Sequence, residues 1–336
     1  MNKAATTVPT QPLLPSIVMT VAETYAIPVV KTIAELRSLR RSFAAETVGF
    51  VPTMGYLHEG HMSLIHRSLQ QNDHTIISIF VNPSQFAPNE DLDTYPRDLD
   101  HDIHVITDYL REIGSEKNVD AIFKPEVAEM YPSGFTMDAS KQRGAFVEVL
   151  GVSNPLEGRA RPSFFRGVAT VVTKLLNAVN PTTAYFGQKD IQQTVVVKTM
   201  VRDLLMGVNV DIVPTVRSQT GLALSSRNKY LSPEMLSQVT CLYKSMQLAR
   251  EAYNKSTTNV EKLTQIVIDK IISTNSKFRI DYVSFNDPET LDYLSEINPA
   301  RGCILSMAVY VPNSLDPQET LETRLIDNMI FESLTV

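Results

Sequence analysis

GFVPTMGYLHEGHMSLI, residues 49–65, decides the fold. An apolar run ends at Pro52, glycine breaks it at position 55, and His58-Glu59-Gly60-His61 opens a segment where Met62, Ile65 and Leu69 recur at helical spacing. TIISIFV (75–81) follows, another β-branched run of the kind buried on both sheet faces. Strand, loop, helix and strand in that order form a βαβ unit, which crosses over right-handed between parallel strands. VDAIFKP (119–125) and TTAYFGQ (182–188) read as further strands, and HVITDYLREI and VATVVTKLLNAV as helices covering the sheet. DIVPTV (211–216) is the last strand or the exit from it. The expected architecture is α/β: a Rossmann-like, doubly wound parallel sheet whose ligand lies beyond the carboxyl ends of its strands.

After Pro214 the texture changes. Ser232-Pro233-Glu234 is a helix start, with serine capping and proline at the first helical position. FRIDYVSFN (278–286), CILSMAVYV (303–311) and TRLIDNMIF (323–331) are three more strands, giving a smaller α+β C-terminal domain. The expected division is a flexible extension over residues 1–27, a Rossmann-like domain over 28–213 and a lid domain over 214–336. Pro12 and Pro15 interrupt any secretory apolar core in the extension, and one Lys, no Arg and Glu23 do not suit a mitochondrial leader.

A length of 336 residues suits two domains. Lys plus Arg is 31 against 37 Asp plus Glu, a net charge of −6, which argues against a nucleic-acid partner because phosphate neutralisation needs a basic face. At 43% hydrophobic and 20% charged residues the chain can bury a core, and no apolar run has membrane-spanning length. Cys241 and Cys303 stand apart without metal or redox spacing, so a disulfide scaffold is excluded and a cytoplasmic compartment is expected.

Four clusters carry chemistry. The first is Met54, Gly55, His58, Gly60 and His61: a helix start after a strand is an anion site, and two histidines three apart can both face a phosphate. This is not the zinc-protease pattern, whose histidines lie four apart. The second holds Asn82 and Gln85 after the next strand. Gln85 offers neutral donor and acceptor groups to a small polar substrate, while Asn82-Pro83 suits either ligand contact or an ordinary turn. Downstream, Glu90, Asp91 and Asp93 read as a solvated loop, and Asp102 as a candidate contact for phosphate-bound magnesium. The third cluster is Gly187, Lys189, Asp190 and Gln193: lysine reaches phosphates, Asp190 caps a helix or holds a ribose hydroxyl, and Gln193 lies one turn into that helix. The fourth, Ser225-Ser226-Arg227, suits polyphosphate through hydroxyls and a paired guanidinium.

Together, FVPTMGYLHEGHMSLI, SIFVNPSQF, DLDTYPRDLDHD, RPSFFRGVATVVTKL, YFGQKDIQQ and GLALSSRNKYLS resemble the pantothenate synthetases (pantoate–β-alanine ligases), with wording close to the fungal branch, within the HIGH-motif nucleotidyltransferase superfamily. The resemblance runs from about residue 28 almost to the C-terminus. It implies that pantoate attacks the α-phosphorus of ATP to give pantoyl adenylate, and that β-alanine then displaces AMP. His58, His61, Lys189, Ser225, Ser226 and Arg227 would bind the triphosphate; Gln85 and Gln193 pantoate; Asp190 the ribose; Met54 and Gly187 would line the site. Magnesium would accompany the triphosphate, and the enzyme would be a cytoplasmic homodimer with neither nucleic-acid nor membrane partners. Because charge builds on phosphate oxygens, preorganised cations and helix N–H groups should supply the strongest terms.

Two positions depart from the family's usual pattern: Gln188 stands where Glu is common, and His101 where Asp is often seen beside Asp102. Two other readings compete. A different nucleotidyltransferase would need more basic groups at its acceptor site than the paired glutamines provide. A non-catalytic nucleotide-binding relative would have lost some phosphate-binding residue, yet all six are present.

Overall fold

The computed structural model describes residues 26–87, 92–93, 95–313 and 321–334. The extension up to residue 25 and the acidic Glu90 and Asp91 lie outside the described residues, as do the side chains of Ala139 and Ser226.

The first part runs β1 (Val29–Val30), α1 (Ile33–Ser42), β2 (Val48–Thr53), α2 (Glu59–Gln71), β3 (His74–Ile79), a 3-10 turn at Pro83–Gln85, α3 (Leu99–Glu112), β4 (Ala121–Phe123) and α4 (Val127–Met130). It continues through α5 (Glu157–Ala160), α6 (Phe164–Val179), β5 (Thr183–Gly187), a 3-10 turn at Gln188–Asp190, α7 (Ile191–Asp203) and β6 (Asn209–Val213). The six strands form one parallel sheet in the order β1-β4-β3-β2-β5-β6. Strand β2 pairs in register with β3 (Val48↔His74 to Thr53↔Ile79) on one side and with β5 (Gly49↔Thr183, Phe50↔Ala184) on the other. The chain winds outward from β2 through β3 to β4, then returns to lay β5 on β2's opposite edge. That reversal places the topological switch point between β2 and β5, where a crevice opens at the carboxyl ends.

Side-chain alternation explains the layers. Val48 and Phe50 pack with Leu36 of α1 and the apolar side of α6, whereas Val51 packs with Leu64, Ile65 and Leu69 of α2 and Ile106 and Leu110 of α3. A continuous apolar strand is what a sheet covered on both faces requires. The pair β1 and α1 escaped the sequence reading, since β1 has two residues. The signal for α1 was present: Thr32 and Glu35 form a capping box, each side chain accepting from the other's backbone N–H.

The C-terminal part contains a 3-10 turn at Ser226–Tyr230, α8 (Pro233–Val239), α9 (Cys241–Asn254), α10 (Val260–Thr274), and an antiparallel sheet β7 (Arg279–Asn286), β8 (Cys303–Pro312), β9 (Glu322–Phe331) in that order. Its own core includes Leu242, Met246, Leu263, Val267, Leu305 and Met307. Ser232 caps α8 as expected, accepting from the Met235 amide. No helix among the described residues is long and apolar enough to cross a membrane.

Candidate active site

The carboxyl ends of β3, β2 and β5 lie side by side, and the loops leaving them carry Gln85, the His58–His61 pair and Lys189. The loop after β2 is tightly tied. Thr53 Oγ1 donates to the Ser78 carbonyl at 2.7 Å and accepts from the Gly55 amide at 3.1 Å. Gly55 has φ +86°, and a Cβ there would press on Asp102 Oδ2 and Ile79, so glycine is demanded twice. Met54, partly buried, precedes it. Asp102 is buried, and its two carboxylate oxygens accept from the Leu57 amide at 2.7 Å and the Tyr56 amide at 3.1 Å. Burial pushes its carboxyl pKa up, against those two bonds. Asp102, a candidate contact for phosphate-bound magnesium in the sequence reading, uses both oxygens here to clasp the turn. Among the described residues no three His, Cys, Asp or Glu side chains group to hold a cation.

His58 is the N-cap of α2, and its Nδ1 accepts from the Gly60 amide at 3.1 Å. His61 Nδ1 in turn accepts from the His58 amide at 3.2 Å, a capping box built from two histidines. The His61 and Met62 amides bond to the His58 carbonyl. The sequence suggested unpaired amides at this helix start; instead the cap consumes those of Gly60, His61 and Met62. A Cβ on Gly60 would strike the His58 ring, 2.8 Å from Cε1. The rings tilt against each other with centroids 4.2 Å apart. Burial, the neighbouring His58 and the Lys189 charge push the His61 pKa down to about 3. Burial, then Lys189, also lowers that of His58. Both imidazoles are therefore neutral at pH 7. With each Nδ1 accepting a backbone N–H, the proton of each ring sits on Nε2. The pair presents two neutral N–H donors.

The turn after β5 brings Lys189 close enough to influence both histidines. Asn328 of β9 holds this turn: its Nδ2 donates to the Gln188 and Lys189 carbonyls, each at 2.9 Å, and its Oδ1 accepts from Gln188 Nε2 at 3.2 Å. Gln188 thus supplies a donor that a carboxylate lacks. Asp190 precedes α7 without a side-chain capping bond and lies 3.8 Å from the Lys189 ammonium, so the capping alternative is not realised. A Cβ on Gly187 would meet no atom within 4 Å; neither packing nor backbone demands glycine there. Lys189, Ser225 and Arg227 share the wall of one small pocket with Arg324 and Asp327. Ser225 Oγ caps its turn by accepting from the Arg227 amide at 3.2 Å, and Arg227 is exposed. Ser226 opens that turn, but its side chain lies outside the described residues.

Gln85 ends the 3-10 turn after β3, and Asn82 fixes it. Asn82 is 1% exposed. Its Nδ2 donates to Gln85 Oε1 at 3.0 Å and to the Gly167 carbonyl at 3.2 Å, while its Oδ1 accepts from the Ser84 amide and from the Tyr131 hydroxyl at 2.6 Å. A carbonyl only accepts, so Gly167 fixes which way the Asn82 amide faces, and Asn82 in turn directs the Gln85 NH₂ away from itself. Asn82, read from sequence as a ligand contact or a turn residue, is buried, and its side chain bonds Gln85, Gly167 and Tyr131. Gly167 of α6 permits this approach, since a Cβ would lie 2.2 Å from the Ser84 carbonyl oxygen. Gln193 lies in the first turn of α7, partly exposed. Its neighbour Gln192 is buried and bonds the Val152 and Pro155 carbonyls and the Glu157 amide. Sequence reasoning missed Asn328 and Tyr131. The signal for Asn328 was faint: Asp327 and Asn328 are two adjacent polar residues set between apolar pairs, Leu325-Ile326 before and Met329-Ile330 after, and both are buried.

A Saccharomyces cerevisiae pantoate–beta-alanine ligase is 46% identical over 303 residues, covering 88% of this chain and 95% of the relative. A pantothenate synthetase of Herpetosiphon aurantiacus is 45% identical, covering 90% and 99%. A crystal structure of the Thermus thermophilus pantothenate synthetase superposes with a TM-score of 0.75 at 42% identity, covering 91% of this chain and all of that one. The Francisella tularensis pantoate–beta-alanine ligase, crystallised with beta-gamma ATP and beta-alanine, gives 0.66 at 32% identity, covering 91% and 98%. The family model for pantoate–beta-alanine ligase matches residues 28–330, which include every described cluster at the switch point, and the chain belongs to that family.

Proposed function

We propose that this chain joins pantoate to β-alanine through pantoyl adenylate, with the β2 and β5 loops holding ATP and the β3 loop holding pantoate. His58 and His61 donate Nε2–H bonds to the triphosphate, and Lys189 and Arg227 supply its positive charge. Ser225 and Ser226 add hydroxyl contacts, Met54, Gly55, Gly60 and Gly187 line the nucleotide's path, and Asp190 meets the ribose. The observation that carries this reading is the histidine pair: two neutral N–H donors, pinned by backbone amides, beside one ammonium. Such donors need no reorganisation as charge moves onto the phosphate oxygens and the departing pyrophosphate.

Gln85 and Gln193 orient the pantoate carboxylate. Amide N–H groups hold a nucleophilic carboxylate without the full charge pairing that a cation would impose, and proximity supplies much of the acceleration. One carboxylate oxygen forms its bond to the α-phosphorus as the bond to pyrophosphate breaks. The β-alanine nitrogen then bonds to the acyl carbon, AMP leaves with the bonding electrons, and the amine proton is released. Magnesium enters as part of the nucleotide substrate. We further infer a lid over residues 214–336 that keeps water from the adenylate, and a cytoplasmic homodimer; both rest on family resemblance, and sedimentation velocity tests the dimer.

The deciding experiment is ATP–pyrophosphate exchange with and without pantoate, followed by β-alanine. Pantoate-dependent exchange and then AMP release on adding β-alanine are expected; a folded chain that exchanges without pantoate, or not at all, overturns the reading.

A further inference from the structure

Tyr131 lies just after α4, outside every motif considered above. It is 3% exposed, and its hydroxyl donates to Asn82 Oδ1 at 2.6 Å and lies 2.9 Å from Ser84 Oγ. Both partners belong to the turn that presents Gln85. The ring is gripped from its other side: the Lys174 ammonium sits 3.9 Å from the ring centroid and donates to the Met130 carbonyl at 2.7 Å. Phe135 and Phe146 flank it, with centroids 5.1 and 6.4 Å away.

We propose that Tyr131 is a positioning residue for pantoate: held by Lys174, it locks Asn82 so that the Gln85 NH₂ is presented at fixed geometry. The inference rests on Gln85 binding pantoate. Asn82 Oδ1 has a long bond to the Ser84 amide, 3.4 Å, and a weak one to Ser84 Oγ, 3.3 Å, so the 2.6 Å phenol bond is the tightest restraint on that oxygen. Burial raises the Tyr131 pKa to about 12, which keeps the hydroxyl protonated and donating throughout the working pH range. Removing the hydroxyl while keeping the ring leaves the apolar packing and the cation–ring contact in place. What is lost is the restraint on Asn82, one turn away from Gln85.

The test compares Tyr131→Phe with Gln85→Ala by steady-state kinetics, varying pantoate and ATP separately, with thermal melting as the fold control. For Tyr131→Phe, KM for pantoate is expected to rise about tenfold, the scale of about one buried hydrogen bond, while KM for ATP stays within twofold. A pantoate KM within twofold of wild type overturns the proposal, as does a parallel rise in both constants, which marks a merely structural role. Gln85→Ala separates the two levels. If it leaves pantoate KM unchanged, the assignment of Gln85 itself fails; if it raises pantoate KM while Tyr131→Phe does not, only the role of Tyr131 fails.

Discussion

At the scale of single residues, the site works by removing choices. Each histidine of the pair has one nitrogen committed to a backbone amide, which leaves the other as a donor, and burial beside Lys189 makes protonation unfavourable. That arrangement has a measurable consequence for stability. The His61 pKa falls from an ordinary 6.5 to about 3 on folding, so between those values the unfolded chain binds a proton that the folded chain refuses. The stability due to neutral His61 is present above about pH 6.5 and is lost as pH falls toward 3. Urea unfolding at pH 7 and pH 5 should show wild type losing about 1–2 kcal/mol more than His61→Ala over that interval. Equal losses would show that His61 is not held neutral. The same variant should turn over at least ~100-fold more slowly, as expected for removing one preorganised donor.

At the scale of elements, the turn after β5 that carries Lys189 is shaped by a strand remote in sequence. Asn328 of β9 bonds two carbonyls and one amide of Gln188–Lys189, and its own strand is braced by the pairing of Arg217 with Asp327 at 2.7 and 2.8 Å. Replacing Asn328 with Ala removes three bonds around the turn without touching β3. KM for ATP should rise about 5- to 20-fold while KM for pantoate stays within twofold, the reverse of the Tyr131→Phe pattern. An unchanged ATP KM would mean that the turn holds its form without β9. The element boundaries of this region were readable beforehand: TTAYFGQ and TRLIDNMIF are strands where expected. Their mutual contact was not, because nothing periodic in either segment encodes a partner across 140 residues.

At the scale of the whole molecule, the parallel-sheet part and the C-terminal sheet are joined by a compact charged knot. Arg324 of β9 grips Glu157 of α5 with both terminal nitrogens, at 2.7 and 2.8 Å, and also bonds Asp281 of β7. Tyr282 donates to the same glutamate at 2.9 Å. Arg324 and Glu157 side chains are 19% and 16% exposed, so solvent screens the pair only weakly. Arg324→Met keeps the apolar stem but strands Glu157 beside Asp281, and should lower stability by about 2–4 kcal/mol in urea unfolding. Adding Glu157→Gln should restore part of the loss; a strictly additive double variant would mean the two residues do not interact.

Sequence by itself determined the βαβ start, the parallel sheet and three separate C-terminal strands, because strands and helices announce themselves through local period: Val48–Val51 without a polar side chain, Met62, Ile65 and Leu69 at helical spacing. It also determined that Gly55, His58, His61, Gln85 and Lys189 come together, since each follows a strand and the switch-point rule gathers strand ends. Tertiary structure alone decided what those residues do with their hydrogen bonds. Asp102 binds the amides of Tyr56 and Leu57, Asn82 meets Tyr131 across 49 residues, and the histidine cap consumes the amides that the helix start had promised to an anion. The reason is physical: a buried polar group must find a partner, and which partner is nearest is settled by how the elements pack, not by the residues beside it in the chain.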